Sequence, residues 1–98
     1  MLKKQYAKDK KTCKVTFSLS DKVNATNVTL QGDFTKWEKS PLKMRRYKDG
    51  NFKVSVTLKA GRNYRFRYQL DGERWENDWE ADAYASNEFG SEDSIVEV

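Results

Sequence analysis

Trp37 and Trp75 are the residues of this 98-residue chain whose type and setting could do chemistry. Each follows a turn, and each is flanked by polar or charged neighbours, Thr35-Lys36 and Glu38-Lys39 in one case, Glu73-Arg74 and Glu76-Asn77 in the other. Core rings are normally surrounded by aliphatics instead. Two exposed indoles near each other would offer flat apolar faces with N–H edges left to donate, which is the mixture a sugar ring needs. Arg67 and Gln69, at outward positions of an adjacent strand, could bond hydroxyls that an apolar platform cannot. A sandwich also commonly buries a tryptophan between its sheets. Composition leaves Trp37 and Trp75 open between platform and core ring, assigns Trp79 to the interior, and by itself makes Arg67 and Gln69 ordinary wet-face residues.

Reactive alternatives fail on inventory. The chain has no His and one Cys, so the usual base for a hydroxyl or thiol nucleophile is missing. A carboxylate pair able to hydrolyse a glycosidic bond must flank a sugar inside a cleft, for which a domain this small has little room. Gly32, Gly50, Gly61, Gly72 and Gly90 stand singly at turns and form no phosphate loop. Asp78, Glu80 and Asp82 alternate as calcium ligands do, but Ala83 occupies the place of the glycine such a loop requires. The expectation is a non-enzyme with no cofactor and no metal, whose surface binds.

The elements that would position these residues read as strands. Residues 12–20 alternate Cys13, Val15, Phe17 and Leu19 with polar neighbours, the period of a sheet with one dry face. Residues 28–32 repeat the pattern and stop at Gly32-Asp33, turn chemistry after which the loop runs to Trp37. A short strand at 42–47 follows the only proline, Pro41. Asp49-Gly50 marks a tight turn with both central residues at positive φ, leading into 52–58. The most regular strand is 64–70, with Tyr64, Phe66, Tyr68 and Leu70 inward and Arg65, Arg67 and Gln69 outward, closed by Asp71-Gly72. Residues 74–75 begin a short return. Residues 77–92 are a long polar stretch anchored at intervals by Trp79, Tyr84 and Phe89, and 94–98 is the closing strand. About seven short strands and no long apolar helix periodicity predict an all-β sandwich. Residues 1–11 read as a charged lead without periodicity that frays or lies along the surface, and 12–98 as a single domain.

Charge is divided along the chain. Residues 3–74 carry all 19 bases with 7 acids, a net of +12, whereas 76–97 carry 8 acids and no base. Because the bases alternate with core residues along strands, this reads as solvated faces partly neutralised by an acidic segment, not as a nucleic-acid interface. No apolar run suits a membrane or a signal peptide, and the lone Cys13 lies in an alternating run as a small buried side chain. A cytoplasmic protein is expected.

At the motifs GDFTKW (32–37), YRFRYQLDGERW (64–75) and GSEDSIVEV (90–98), the chain resembles the isoamylase early-set domains. These belong with the family-48 carbohydrate-binding modules and the glycogen-binding domain of the AMP-activated kinase β subunit. The resemblance covers nearly everything from Cys13 to Val98. It implies an immunoglobulin-like antiparallel sandwich that holds α-1,4-linked glucan, or a maltooligosaccharide, against two tryptophans, a basic side chain and an asparagine. The tryptophans match Trp37 and Trp75, and the base matches Arg67. The asparagine falls at Asp93, where an amide that donates and accepts has become an ionised acceptor. Thr35-Lys36 stands where asparagines often precede the tryptophan. The site expected for glucan is therefore Trp37, Arg67, Gln69, Trp75 and Asp93. The alternative is an early-set interaction or scaffold domain that binds no sugar. Without a catalytic barrel in the sequence, the module is expected to act alone or to dock on a separate protein, such as a glycan-active enzyme.

Overall fold

Period-two alternation dominates the chain, and burying one face of each alternating segment requires two sheets packed face to face. A computed structural model describes residues 2–98 and shows this arrangement. One sheet contains β1 (Leu2–Tyr6), β2 (Thr12–Leu19), β5 (Arg45–Arg46) and β6 (Phe52–Lys59), in the spatial order β1-β2-β6-β5. The other contains β3 (Val28–Gly32), β4 (Leu42–Lys43), β7 (Asn63–Leu70), β9 (Ala83–Ser86) and β10 (Glu92–Glu97), in the order β4-β3-β7-β10-β9. A three-residue strand, β8 (Arg74–Glu76), pairs with the second half of β7. All pairings are antiparallel. The protein is thus an all-β, immunoglobulin-like sandwich, as its alternation requires.

Between the sheets lie Val15, Phe17 and Leu19 of β2 and Phe66, Tyr68 and Leu70 of β7, with Leu30, Phe52 and Val96. Phe17 meets Phe66 edge-on at 5.0 Å between centroids, and Phe66 meets Tyr68 at 5.7 Å. Such tilted ring pairs add a fraction of a kcal/mol to about 1.5 kcal/mol each beyond the area they bury. Cys13 is buried as a free thiol. Among the described residues no helix is long and apolar enough to cross a membrane.

Ten strands replace the seven expected, for three reasons. First, residues 2–6 do not fray: β1 pairs with β2 from Leu2↔Phe17 to Tyr6↔Cys13. Lys4 occupies the middle of its inward face, which hides the alternation, and its Nζ lies 2.7 Å from Asp82 of the other sheet's margin. Second, the strand expected at 42–47 is two strands in different sheets, β4 on β3 and β5 on β6. The chain changes sheet at buried Met44, whose N–H donates to the Val28 carbonyl. Third, β9 forms inside the polar stretch 77–92, to which the alternation assigns no strand.

The anchors of that stretch also differ. Trp79, Tyr84 and Phe89 are all exposed, Trp79 by 53%, so the assignment of Trp79 to the interior is overturned. Its indole Nε1 donates outward to Glu76 Oε1. The buried anchor is Asp78, which accepts from the Tyr68 hydroxyl at 2.7 Å and from the Glu80 N–H at 2.8 Å. Its own N–H donates to Ser94 Oγ, which donates in turn to Asn77 Oδ1. Burial, then the charge and hydrogen bond of Asp78, push the Tyr68 phenol well above its ordinary value. It therefore stays protonated and keeps donating.

The two Asp-Gly turns are of different kinds. At 71–72 both residues have positive φ, 52° and 70°. At 49–50 only Gly50 does, at 87°, and a three-residue loop closes through the Gly50 N–H on the Tyr47 carbonyl. Asp71 also ties the sheet end together, accepting from the N–H groups of Thr26 and Asn27 at 2.9 Å each. Those two donors, Asn27 first, hold its carboxyl below the usual range.

Two outcomes are expected from these anchors. Tyr68→Phe removes a donor from a buried carboxylate and should lower the free energy of unfolding by about 1–3 kcal/mol, measured by denaturant titration. Because the Asp71 pKa is depressed by folding, its contribution is complete above the unfolded value of about 4 and is lost as pH falls through the lower folded value. Asp71→Asn should melt below the wild type at neutral pH, and the two melting temperatures should converge in acid.

Candidate functional site

The outward face of β7 and the turns beside it form a cleft of about 620 Å³. Trp37, Arg67, Trp75 and Asp93 line it. Gln69 does not.

Trp37 is placed by the turn that ends β3. A Cβ on Gly32 would lie 2.4 Å from the Arg65 carbonyl, so only glycine lets the two strands meet this closely. Asp33 then accepts the Arg65 N–H at 2.8 Å, which pins the turn to β7. Thr35, buried, uses one hydroxyl for three contacts: it accepts the Gly32 N–H, and its proton faces the carbonyls of Gly32 and Trp37. Lys36 and Trp37 both adopt left-handed φ, 54° and 56°, each at a penalty of about 1–2 kcal/mol for a residue with a Cβ. The hydroxyl bonds hold this strained pair in place, and the half-buried indole of Trp37 faces the cleft.

Trp75 sits directly across from Gln69 on β8 and is 40% exposed. The Arg67 guanidinium carbon lies 5.7 Å from its ring centroid, a cation–π contact that orients both side chains. Arg67 donates from Nη1 to Ser91 Oγ at 3.4 Å, while its Nε is buried without a hydrogen-bond partner among the described residues. No carboxylate of the described residues pairs with it. Gln69 has both ends of its amide engaged, accepting from Gln31 Nε2 at 2.8 Å and donating to the Gly72 carbonyl. It thereby braces the turn that delivers Trp75.

Asp93 forms the cleft floor and is nearly covered. Its two oxygens accept from Arg65 Nη1 at 3.2 Å and from Asn87 Nδ2 at 3.1 Å. The Arg65 charge is thus compensated where that of Arg67 is not.

Sequence reasoning missed the third aromatic of the cleft. Phe89 is 85% exposed at the tip of the β9–β10 hairpin. Asn87 shapes that tip: its Oδ1 accepts the N–H groups of Phe89 and Ser91, and its Nδ2 donates to Ser91 Oγ as well as to Asp93. The signal was present in the Asn87-to-Gly90 spacing of a turn, which puts residue 89 at an apex and not in a core. Chemically, the cleft offers three aromatic rings, a base with spare donors and a floor whose acceptors are occupied. It holds no nucleophile paired with a base.

No curated protein matches the chain. A family model described as the glycogen recognition site of AMP-activated protein kinase matches residues 13–98, from the second residue of β2 to the last residue. The span includes every residue that lines the cleft. The chain therefore belongs to the carbohydrate-binding family of the glycogen recognition site of AMP-activated protein kinase.

Proposed function

We propose that the cleft binds α-1,4-linked glucan of the glycogen or starch type, without catalysing any reaction on it. The observation that carries this reading is the convergence of Trp37, Trp75 and Arg67 on one concavity within a chain of a glycogen-recognition family. The two indole faces stack on successive glucose units, and Phe89 closes the rim. Arg67, whose guanidinium lines the cleft and has no carboxylate partner among the described residues, bonds sugar oxygens. Asp93 acts by holding Arg65 and Asn87 in the floor of the cleft. Gln69 acts from behind Trp75. The buried thiol of Cys13 suits a reducing cytoplasm, where glucan stores and the enzymes that work on them would be the protein's surroundings.

Electrophoresis through a gel containing glycogen tests the proposal. The wild type should be retarded, and Trp37→Ala and Trp75→Ala should each weaken binding by at least about tenfold, equivalent to 1.4 kcal/mol. Equal mobility of all three proteins with and without polysaccharide would overturn it. Binding to neutral glucan should change little with salt, in contrast to the steep loss that phosphate-backbone binding shows.

Thr35 gives a second expectation for the same site. Thr35→Val keeps the shape of the side chain but removes the hydroxyl that holds Lys36 and Trp37 in left-handed geometry, so it should lower glucan affinity and alter Trp37 fluorescence. Thr35→Ser, which keeps the hydroxyl, should restore both. Identical affinity in the two variants would assign Thr35 to packing alone.

A further inference from the structure

A second concavity, of about 380 Å³, lies at the other end of β3, where the chain crosses from one sheet to the other. Met44 and Phe52 form its apolar floor, and Lys43, Arg45 and Arg46 stand around it with no carboxylate in its lining. Four bases elsewhere in the fold have acidic partners, Arg65 in Asp93, Lys4 in Asp82, Lys53 in Asp49 and Arg74 in Asp71. Asp71 reaches this end of the molecule, but its oxygens are directed to the Thr26 and Asn27 amides and to Arg74. Lys43, Arg45 and Arg46 have no acidic partner among the described residues.

The two guanidinium groups are also held in place. Arg46 lies 5.4 Å over the Phe52 ring and Arg45 lies 5.6 Å over Tyr47, a ring that Lys53 approaches at 5.4 Å. These are cation–π distances, and neither guanidinium has a carboxylate partner among the described residues, so their planar N–H forks remain available to a carboxylate. Moreover, β5 is the outermost strand of its sheet, with no strand on its far edge. Charges on a short edge strand commonly serve to repel other edges. Here the charges also border an apolar floor, and repulsion between edges does not require one.

We propose that this groove docks an extended acidic segment of a protein partner, whose main chain adds to the β5 edge and whose carboxylates pair with Lys43, Arg45 and Arg46. The groove and the cleft share no lining residue, so a partner and a glucan can be held together. The domain is then an adaptor that brings an acidic protein to its polysaccharide.

Titration of the isotope-labelled full chain with an oligoglutamate peptide, followed by amide chemical shifts, tests this. The expected result is saturable shifts confined to residues 26–27 and 43–53, unaffected by saturating maltoheptaose. The double variant Arg45→Gln/Arg46→Gln should bind roughly tenfold more weakly, while Lys8→Gln/Lys10→Gln, with the same loss of charge elsewhere, should bind as the wild type does. Arg45→Lys/Arg46→Lys keeps the charge without the fork and should fall between. Shifts spread over all basic faces, equal weakening in both Gln pairs, or an equally strong response to inorganic polyphosphate would overturn the proposal. Failure of glucan binding in the wild type would leave these outcomes unchanged and bear on the cleft alone.

Discussion

Strand β7 has to serve two surfaces with one backbone register. Its even positions, Tyr64, Phe66, Tyr68 and Leu70, face the interior, and of its odd positions Arg65 and Arg67 line the cleft while Gln69 stands behind Trp75. A slip of one residue would exchange the two sets, placing guanidinium groups between the sheets and rings in water, so the hydrophobic demand of the core fixes where Arg67 points. The register is held on both flanks, by β3 along one side and by β10 and β8 in succession along the other. In this domain the wall of the cleft and the packing behind it are one constraint.

The turns that complete the cleft are not favoured by their own local conformations. Lys36 and Trp37 adopt a backbone geometry suited to glycine, and they are kept there by the Thr35 hydroxyl on one side and by the Asp33 carboxylate on the other. The hairpin tip at Phe89 depends likewise on the side-chain amide of Asn87. Local strain of this kind persists only where surrounding hydrogen bonds over-determine it, and it gathers at sites that must present a side chain in one direction. Polar bonds thus complete what the apolar core begins.

What could be read from the residues follows from the range over which each signal acts. The alternation of β2, β6 and β7, and the turn at Asp71-Gly72, are local patterns and were legible at once. So was the setting of Trp37 and Trp75 after turns, which the structure brings to one cleft with Arg67 and Asp93. The features that escaped notice depend on distant partners. Strand β1 is a strand because β2 lies beside it, and its inward Lys4 is tolerated because Asp82 meets it. Residues 77–82 are pinned by a carboxylate buried against Tyr68 and Ser94, so Trp79, which looked like the anchor, is free to face solvent. Gln69 shares the outward face as expected, yet its amide is taken up by Gln31 and Gly72, a pairing that no periodicity reveals.

The crossing at Met44 gives the domain an unusual mechanical character. One residue separates a strand of one sheet from a strand of the other, and its N–H is closed on Val28 at 2.9 Å in the buried interior. With one residue between them, the two strand edges have little slack to move independently. A displacement of either sheet edge is therefore passed to the other at this crossing, through Met44 and the carbonyl it is bonded to.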